Sequence, residues 1–215
     1  MRNFLSAVLA LVMLVPGVSW AQQAEQPQYE ADKHYKVLPY PVRTQDPSKI
    51  EVVELFWYGC PHCRDFEPYV EAWRKQLPED VRFEHLPAVF GKTWEVHAKA
   101  YFAADAMGIE DKIRQPLFDA IAKERKPLND VESLASFIGG LGFDKEAFKK
   151  SFNSFGVRSK IEQALSRARG YRATGVPAVV VNGKYLVDAT SAGGMDKVLR
   201  VVNFLIEKER AAKGS

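Results

Sequence analysis

The chain has two cysteines, and they stand as Cys60-Pro61-His62-Cys63 where an apolar strand passes into a helix. Two thiols one helical turn apart can close a disulfide and open it again. A helix start aims unpaired backbone N–H groups at the first sulfur and favours its thiolate form. The thiolate is the nucleophile of disulfide exchange, so this position is chemically active. A structural staple is one alternative. The entropic effect of a disulfide grows with the loop it closes, however, and this loop is tiny. A zinc half-site is another alternative. Structural zinc takes four ligands as a rule. No second cysteine pair exists, and His34, His85 and His97 show no ligand spacing.

The first residues read as a secretory signal peptide over 1–21. Arg2 supplies the positive start, Phe4 to Val15 is almost wholly apolar, and Pro16-Gly17 breaks the run. Ser19-Trp20-Ala21 places small residues around a cut after Ala21. The run falls well short of the about 20 apolar residues that span a bilayer. An uncleaved anchor is the alternative. No cysteine lies near the cut, so a lipid-anchored terminus is not expected. The net charge of +3 drops by one when the leader and its Arg2 are removed. So weak a bias leaves no footprint for nucleic acid. Hydrophobic residues make up 47% of the 215, enough for one sizeable core.

After a polar stretch, Gln22 to Glu30, a short strand is expected at Tyr35 to Leu38 and a buried one at Ile50 to Tyr58. Phe66, Tyr69, Val70, Trp73 and Leu77 then recur as one face of a helix that starts near Cys60. Pro61 suits its first turn, Pro68 should kink it and Pro78 ends it. Val81 to Leu86 is the next strand. From about Trp94 to Arg158 strand signals vanish. Helices are expected at Trp94–Met107, Ile113–Lys123, Val131–Ile138 and Lys145–Phe152, with Trp94, Phe102, Phe118 and Phe137 in their core. A helix at Ile161–Tyr171 follows. Ala178–Val181, Asn182-Gly183 and Lys184–Val187 read as a hairpin on a two-residue type I′ turn. The last helix carries a stripe of Met195, Val198, Leu199, Val202, Leu205 and Ile206. The order is that of a mixed α/β sheet with a helical block inserted in one connection.

Three matches make the chain resemble the DsbA-type thiol oxidases, thioredoxin-fold proteins with a helical insertion. They are Phe56-Trp57-Tyr58-Gly59-Cys60-Pro61-His62-Cys63 at the strand-to-helix junction, Gly175-Val176-Pro177 before the hairpin, and the helical block between the two β-rich parts. The resemblance implies a thioredoxin-like fold with a mixed central sheet, split as 22–92 and 159–215, with an inserted all-helical domain at 93–158. It also implies a periplasmic protein disulfide oxidoreductase without cofactor, acting as a monomer. Its partners would be unfolded exported proteins with free thiols and a DsbB-like, quinone-linked oxidase of the inner membrane.

Site roles follow. Cys60 is expected to be the reactive thiol and Cys63 the resolving one, with His62 favouring the Cys60 thiolate. His62 as a bystander in an exposed turn is the alternative. The Val176–Pro177 bond is expected to be cis, leaving the Val176 backbone free to pair with an extended substrate. A plain trans proline is the alternative. Glu54, an acid inside an apolar strand, is expected beneath the site, assisting proton transfer at the buried thiol. The resemblance calls for a lysine opposite it, but the neighbouring strand offers Arg82, Glu84 and His85. An arginine stays protonated and relays nothing. Competing functions are a disulfide isomerase or reductase, and a peptide-binding chaperone whose cysteines are incidental.

Overall fold

A computed structural model describes residues 28–213. The expected signal peptide lies outside the described residues. Five strands form one mixed sheet: β1 (Lys36–Val37), β2 (Ile50–Phe56), β3 (Val81–Pro87), β4 (Ala178–Val181) and β5 (Tyr185–Asp188), in the order β1-β5-β4-β2-β3. The β2–β3 pair is parallel and the other three pairs are antiparallel. All seven residues of β2 are buried, as a central strand covered on both faces requires.

Side chains alternate across that strand. Ile50 and Val52 face a core shared with Phe66 and Val70 of α1 (Pro61–Arg74) and with α8 (Met195–Lys213). Val53 and Leu55 face the other core. Residues of α2 (Lys92–Ala106), α3 (Glu110–Phe118), α4 (Val131–Gly140), α5 (Lys145–Phe152) and α6 (Phe155–Gly170) fill that second core together with the sheet. The helical block and the sheet therefore bury one continuous apolar volume. On the first face, Val198, Val202, Leu205 and Ile206 of the expected α8 stripe are buried, while Met195 and Leu199 are partly covered. Each fully buried side chain of this kind contributes about 1.5–3 kcal/mol.

Several elements differ from the expectations. Tyr69, placed by periodicity on the buried face of α1, is 65% exposed. The carboxylate of Glu67 is buried there instead. Pro68 lies within α1, and the helix stops at Arg74, before Pro78. The third helix is split into α3 and a π-helical turn, Asp119–Lys123. The sixth helix begins at Phe155, where Ser154 accepts the Val157 N–H, six residues before the apolar periodicity becomes legible. A short α7, Ala189–Ala192, has no apolar stripe to announce it and is held by a capping box from Asp188 and Ser191.

The hairpin turn is tight, but its ladder closes at Val181–Tyr185, leaving three residues between the strands where two were expected. Asn182 and Gly183 both take positive φ, at 50° and 62°, and Lys184 N–H donates to Val181 C=O. The turn is claimed by the N-terminal segment: Val42 N–H donates to Gly183 C=O, and Leu38 N–H to Lys184 C=O. A Cβ at position 183 would stand 2.0 Å from the Val42 carbonyl oxygen. We expect Gly183→Ala to cost more than about 1 kcal/mol, since its backbone strain adds to that clash. Gly140→Ala meets nothing within 4 Å and should change stability by less than about 1 kcal/mol. Urea denaturation of the two variants checks both.

Candidate active site

Cys60 is the N-cap of α1. Its backbone is extended, with φ −93° and ψ 114°, and its sulfur accepts the Cys63 N–H at 3.4 Å. Pro61 opens the helix, where a missing N–H costs nothing. Upstream, Trp57 folds back against Gly59 so closely that a Cβ there would sit 2.4 Å from its ring. Trp57 stacks on Trp94 with ring centroids 4.1 Å apart. Trp94 therefore belongs to the surroundings of this loop as well as to the helical block. Trp57 Nε1–H donates to His97 Nδ1 at 2.9 Å, while His97 Nε2 donates to the Leu128 carbonyl at 3.0 Å. Burial lowers the His97 pKa, in keeping with that neutral ring.

The two sulfurs, in their dithiol form, occupy different surroundings. Cys60 is 8% exposed and Cys63 is 0% exposed. The Cys60 thiol is pulled down to about 6. The hydrogen bond from the Cys63 thiol does most of this; the N–H groups of Cys63 and His62 and the His62 charge add to it, against partial burial. Cys63 moves the opposite way. Burial raises it most, followed by its hydrogen bond to Cys60, the Cys60 charge and Glu54.

Across the groove, the Val176–Pro177 peptide is cis. The Val176 carbonyl oxygen lies 3.6 Å from Cys60 Sγ. Val176 is half-buried and Pro177 is buried. His62, exposed, joins Thr174, Gly175, Val176, Pro177 and Met195 around a groove of about 530 Å³. Tyr69 and Asp65 extend its rim along α1.

Glu54 is 0% exposed, so the alternative of an exposed edge acid does not hold. Its cross-strand neighbour on β3 is His85. His85 Nδ1 lies 2.7 Å from Glu54 Oε2. The expected lysine position is thus taken by a histidine and, from α3, by Arg114. The Arg114 guanidinium reaches Glu67 at 2.5 Å, Glu110 at 3.3 Å and Glu54 at 3.4 Å. It also lies 4.1 Å from the Phe56 ring centroid. Tyr58 O–H donates to Glu110 at 3.0 Å. Burial raises the Glu67 pKa although Arg114 opposes it. For His85, burial and the Arg114 charge push down, but the Glu54 hydrogen bond and the Glu71 carboxylate 3.5 Å from Nε2 outweigh them and its pKa is raised.

Glu54, Glu67 and His85 bring three ligand-type atoms within 4.8 Å of one another. Arg114 already hydrogen-bonds within this group, so a cation would have to displace a buried guanidinium. The group is an ion-pair cluster and not a metal centre.

The sequence signal for Glu67 and Glu71 was their spacing. Cys63, Glu67 and Glu71 stand at i, i+4 and i+8 on α1 and so share a stripe. Arg114 had no local signal, because only the fold brings it to the cluster.

A family profile described as "DSBA-like thioredoxin domain" matches residues 85–200. The Thiol:disulfide interchange protein DsbA of Pseudomonas aeruginosa is 46% identical over 213 residues, covering 99% of each chain. That of Azotobacter vinelandii is 46% identical over 212 residues, again covering 99% of this chain. The crystal structure of Pseudomonas aeruginosa DsbA superposes with a TM-score of 0.85 at 48% identity, covering 87% of this chain and 97% of that one. The fold is therefore that of a thioredoxin-like protein with a helical insertion, the architecture of a protein disulfide oxidoreductase. The chain belongs to the DsbA family of thiol:disulfide interchange proteins. Its chemistry requires partners that carry thiols. Among the described residues no helix is long and apolar enough to cross a membrane.

The Cys60 shift has a consequence for stability. Its pKa falls on folding from 9.0 to about 6. Between these values the unfolded chain binds more protons than the folded one, so stability of the reduced protein rises with pH. The contribution is fully present above about pH 9 and lost as pH falls through about 6. The advantage in denaturation midpoint of the reduced over the oxidised protein should shrink across that window on acidification. Thiolate absorbance should show a single titration near pH 6. His62→Ala should raise it while leaving it below 9.0, because the Cys63 thiol and the helix N–H groups remain.

Proposed function

We propose that the chain is an exported thiol oxidase that donates a Cys60–Cys63 disulfide to newly translocated proteins. The observation that carries this reading is the split between the two sulfurs, one stabilised as a thiolate at the helix start and one buried as a thiol. A substrate thiolate attacks Cys60 Sγ of the oxidised pair. The S–S bond breaks, its electron pair leaves with the Cys63 sulfur, and Cys63 takes up a proton. A second substrate thiolate attacks the substrate sulfur of the mixed disulfide and expels Cys60 as a thiolate. Two electrons have then passed to the protein. Because Cys60 is a good leaving group, the balance favours oxidised substrate.

His62 and the first turn opened by Pro61 stabilise the departing thiolate. Val176 and Pro177 hold an extended substrate strand beside the sulfur through backbone contacts, which allows many sequences. Glu54 serves the proton of Cys63. The setting is the periplasm, reached with the signal peptide of residues 1–21. The protein acts as a monomer, without cofactor, on unfolded proteins with free thiols. A DsbB-like, quinone-linked oxidase of the inner membrane restores the disulfide.

Equilibration against a glutathione series tests the direction of exchange. The pair should be clearly more oxidising than glutathione. A strongly reducing pair would sink the oxidase in favour of a reductase. Given a substrate that carries a disulfide, Cys63→Ser should be trapped as a mixed disulfide at Cys60 with the second substrate thiol released, and Cys60→Ser should form none and lose all activity. Retained function in Cys60→Ser would point to a chaperone.

A further inference from the structure

A second cavity, of about 580 Å³, adjoins the groove beside Cys60, and Ala173 and Thr174 line both. Its apolar lining is Val89 and Phe90 from the loop after β3, and Leu165 and Ala168 from α6. Ala88 N–H donates to Phe56 C=O at 2.9 Å, which ties that loop to the strand leading to the cysteines. Phe90 packs on Trp94 with ring centroids 5.0 Å apart, and Trp94 stacks on Trp57, whose ring lies against Gly59. An aromatic row thus runs from the Cys60 loop out to Phe90, which is 43% exposed.

Arg169 and Arg172, both exposed, complete the lining. Among the described residues neither guanidinium meets a carboxylate. Arg169 Nε–H donates to the Leu165 carbonyl at 3.2 Å, and the Arg172 side chain makes no hydrogen bond. The acids around the first groove are paired by contrast: Asp65 with Arg64 at 3.0 Å, Asp188 with Lys36 at 3.8 Å and Asp196 with Arg200 at 3.9 Å. The uncompensated charge beside the site is therefore positive and lies on the second cavity. Arg172 also follows the end of α6 in the left-handed region, at φ 52°. Glycine or asparagine takes that place at less cost. An arginine stays charged and pairs strongly with a carboxylate. Two of them beside an apolar cavity fit an apolar side chain with acids next to it.

The cavity lies within reach of a substrate at Cys60. The Val176 carbonyl oxygen is 3.6 Å from Cys60 Sγ. Thr174 precedes Val176 by two residues, at most about 7 Å of chain. A substrate strand beside Val176, with its cysteine at Cys60, passes the cavity about two to four residues from that cysteine. We propose that the cavity is a substrate subsite that takes an apolar side chain flanked by acidic residues, on one side of the reacting cysteine of an exported chain. This rests on the reading of the chain as a thiol oxidase whose substrates lie beside Val176. Arg169 and Arg172 act on binding: they gather acid-flanked thiols at Cys60 and touch neither sulfur.

The test is single-turnover reduction of the oxidised protein by capped peptide dithiols, over a range of peptide concentration at neutral pH and low salt. In each exchange the peptide dithiol becomes a disulfide and Cys60–Cys63 becomes a dithiol, counted by alkylation and mass. Each peptide carries a phenylalanine beside a pair of acidic or of basic residues, placed about three residues before or after its cysteines. Rates are compared per thiolate, since flanking charge moves the peptide thiol pKa. In one of the two placements the acidic peptide should half-saturate at a concentration about three- to tenfold lower than the basic one, as two partly exposed ion pairs would give. The limiting rates should agree, and the gap should close as salt rises. The double variant Arg169→Gln, Arg172→Gln should bring the ratio near one. Arg169→Glu with Arg172→Glu should invert it, which a general disturbance of the surface would not do. Phe90→Ser should remove the gain that the phenylalanine gives over a glycine in its place. Equal half-saturation by acidic and basic peptides in both placements would overturn the subsite and leave the oxidase standing. A preference that survives in Arg169→Gln, Arg172→Gln would overturn it too, since the acid would then be read elsewhere. If no peptide dithiol were oxidised, the oxidase reading would fall and the subsite with it.

Discussion

The first turn of α1 is capped by sulfur. Elsewhere in this chain Asp130, Asp144, Ser154 and Asp188 cap helices with oxygen in the ordinary way. At Cys60 the same task falls to a group that can be a thiolate or half of a disulfide. The N–H donors that start the helix are thus the donors that stabilise the charge. Closing the disulfide takes that charge away while the donors remain. The reduced helix start is the better satisfied of the two, and the fold itself leans toward giving the disulfide up.

The other sulfur is governed by what lies behind it. One turn further on, the buried face of α1 carries Cys63 and then Glu67, and the sheet carries Glu54 below. Burial makes a thiolate there costly, and the nearby carboxylate adds to the cost. Three residues along one helix therefore separate a sulfur that holds charge from one that refuses it. The asymmetry ranks the two sulfurs: Cys60 Sγ is the less buried and the better able to hold charge, and a bare thiolate at Cys63 is the costlier of the two. The parallel pairing of β2 with β3 sets His85 opposite Glu54, so the partner of that buried acid is fixed by strand register.

The sequence carried most of this fold, because strands and helices announce themselves by local period. The cysteine pair was legible from its spacing and Glu54 as an acid inside an apolar strand, while the role of Glu54 and the cis bond before the hairpin came from the family resemblance. What stayed hidden depended on contacts between distant segments. Tyr69 follows the apolar period of α1 but faces the groove, while Glu67 breaks the period and is buried. Periodicity reports the polarity of a residue, and a carboxylate with a buried guanidinium partner escapes that rule. The hairpin turn grew by one residue because Leu38 and Val42 occupy its carbonyls, a constraint that no reading of Asn182-Gly183 alone contains. His85 was visible as the neighbour of Glu54, but its significance lies in Arg114 and Glu71, which only the folded chain brings to its two edges.

Arg114 also decides how the helical block relates to the sheet. Among the described residues it is the one buried arginine or lysine, and it comes from α3, inside that block. The carboxylates it serves come from β2, α1 and α3 itself. Breaking a buried ion pair by removing one partner costs about 3–5 kcal/mol, because the remaining charge is left without compensation. Separating the block from the sheet would strand Glu54 and Glu67 in this way and divide a continuous apolar core. The helices inserted between the two β-rich parts are therefore more than a cover for one face of the sheet. They deliver the counter-charge that lets Glu54 and Glu67 be buried beneath the helix that carries the two cysteines.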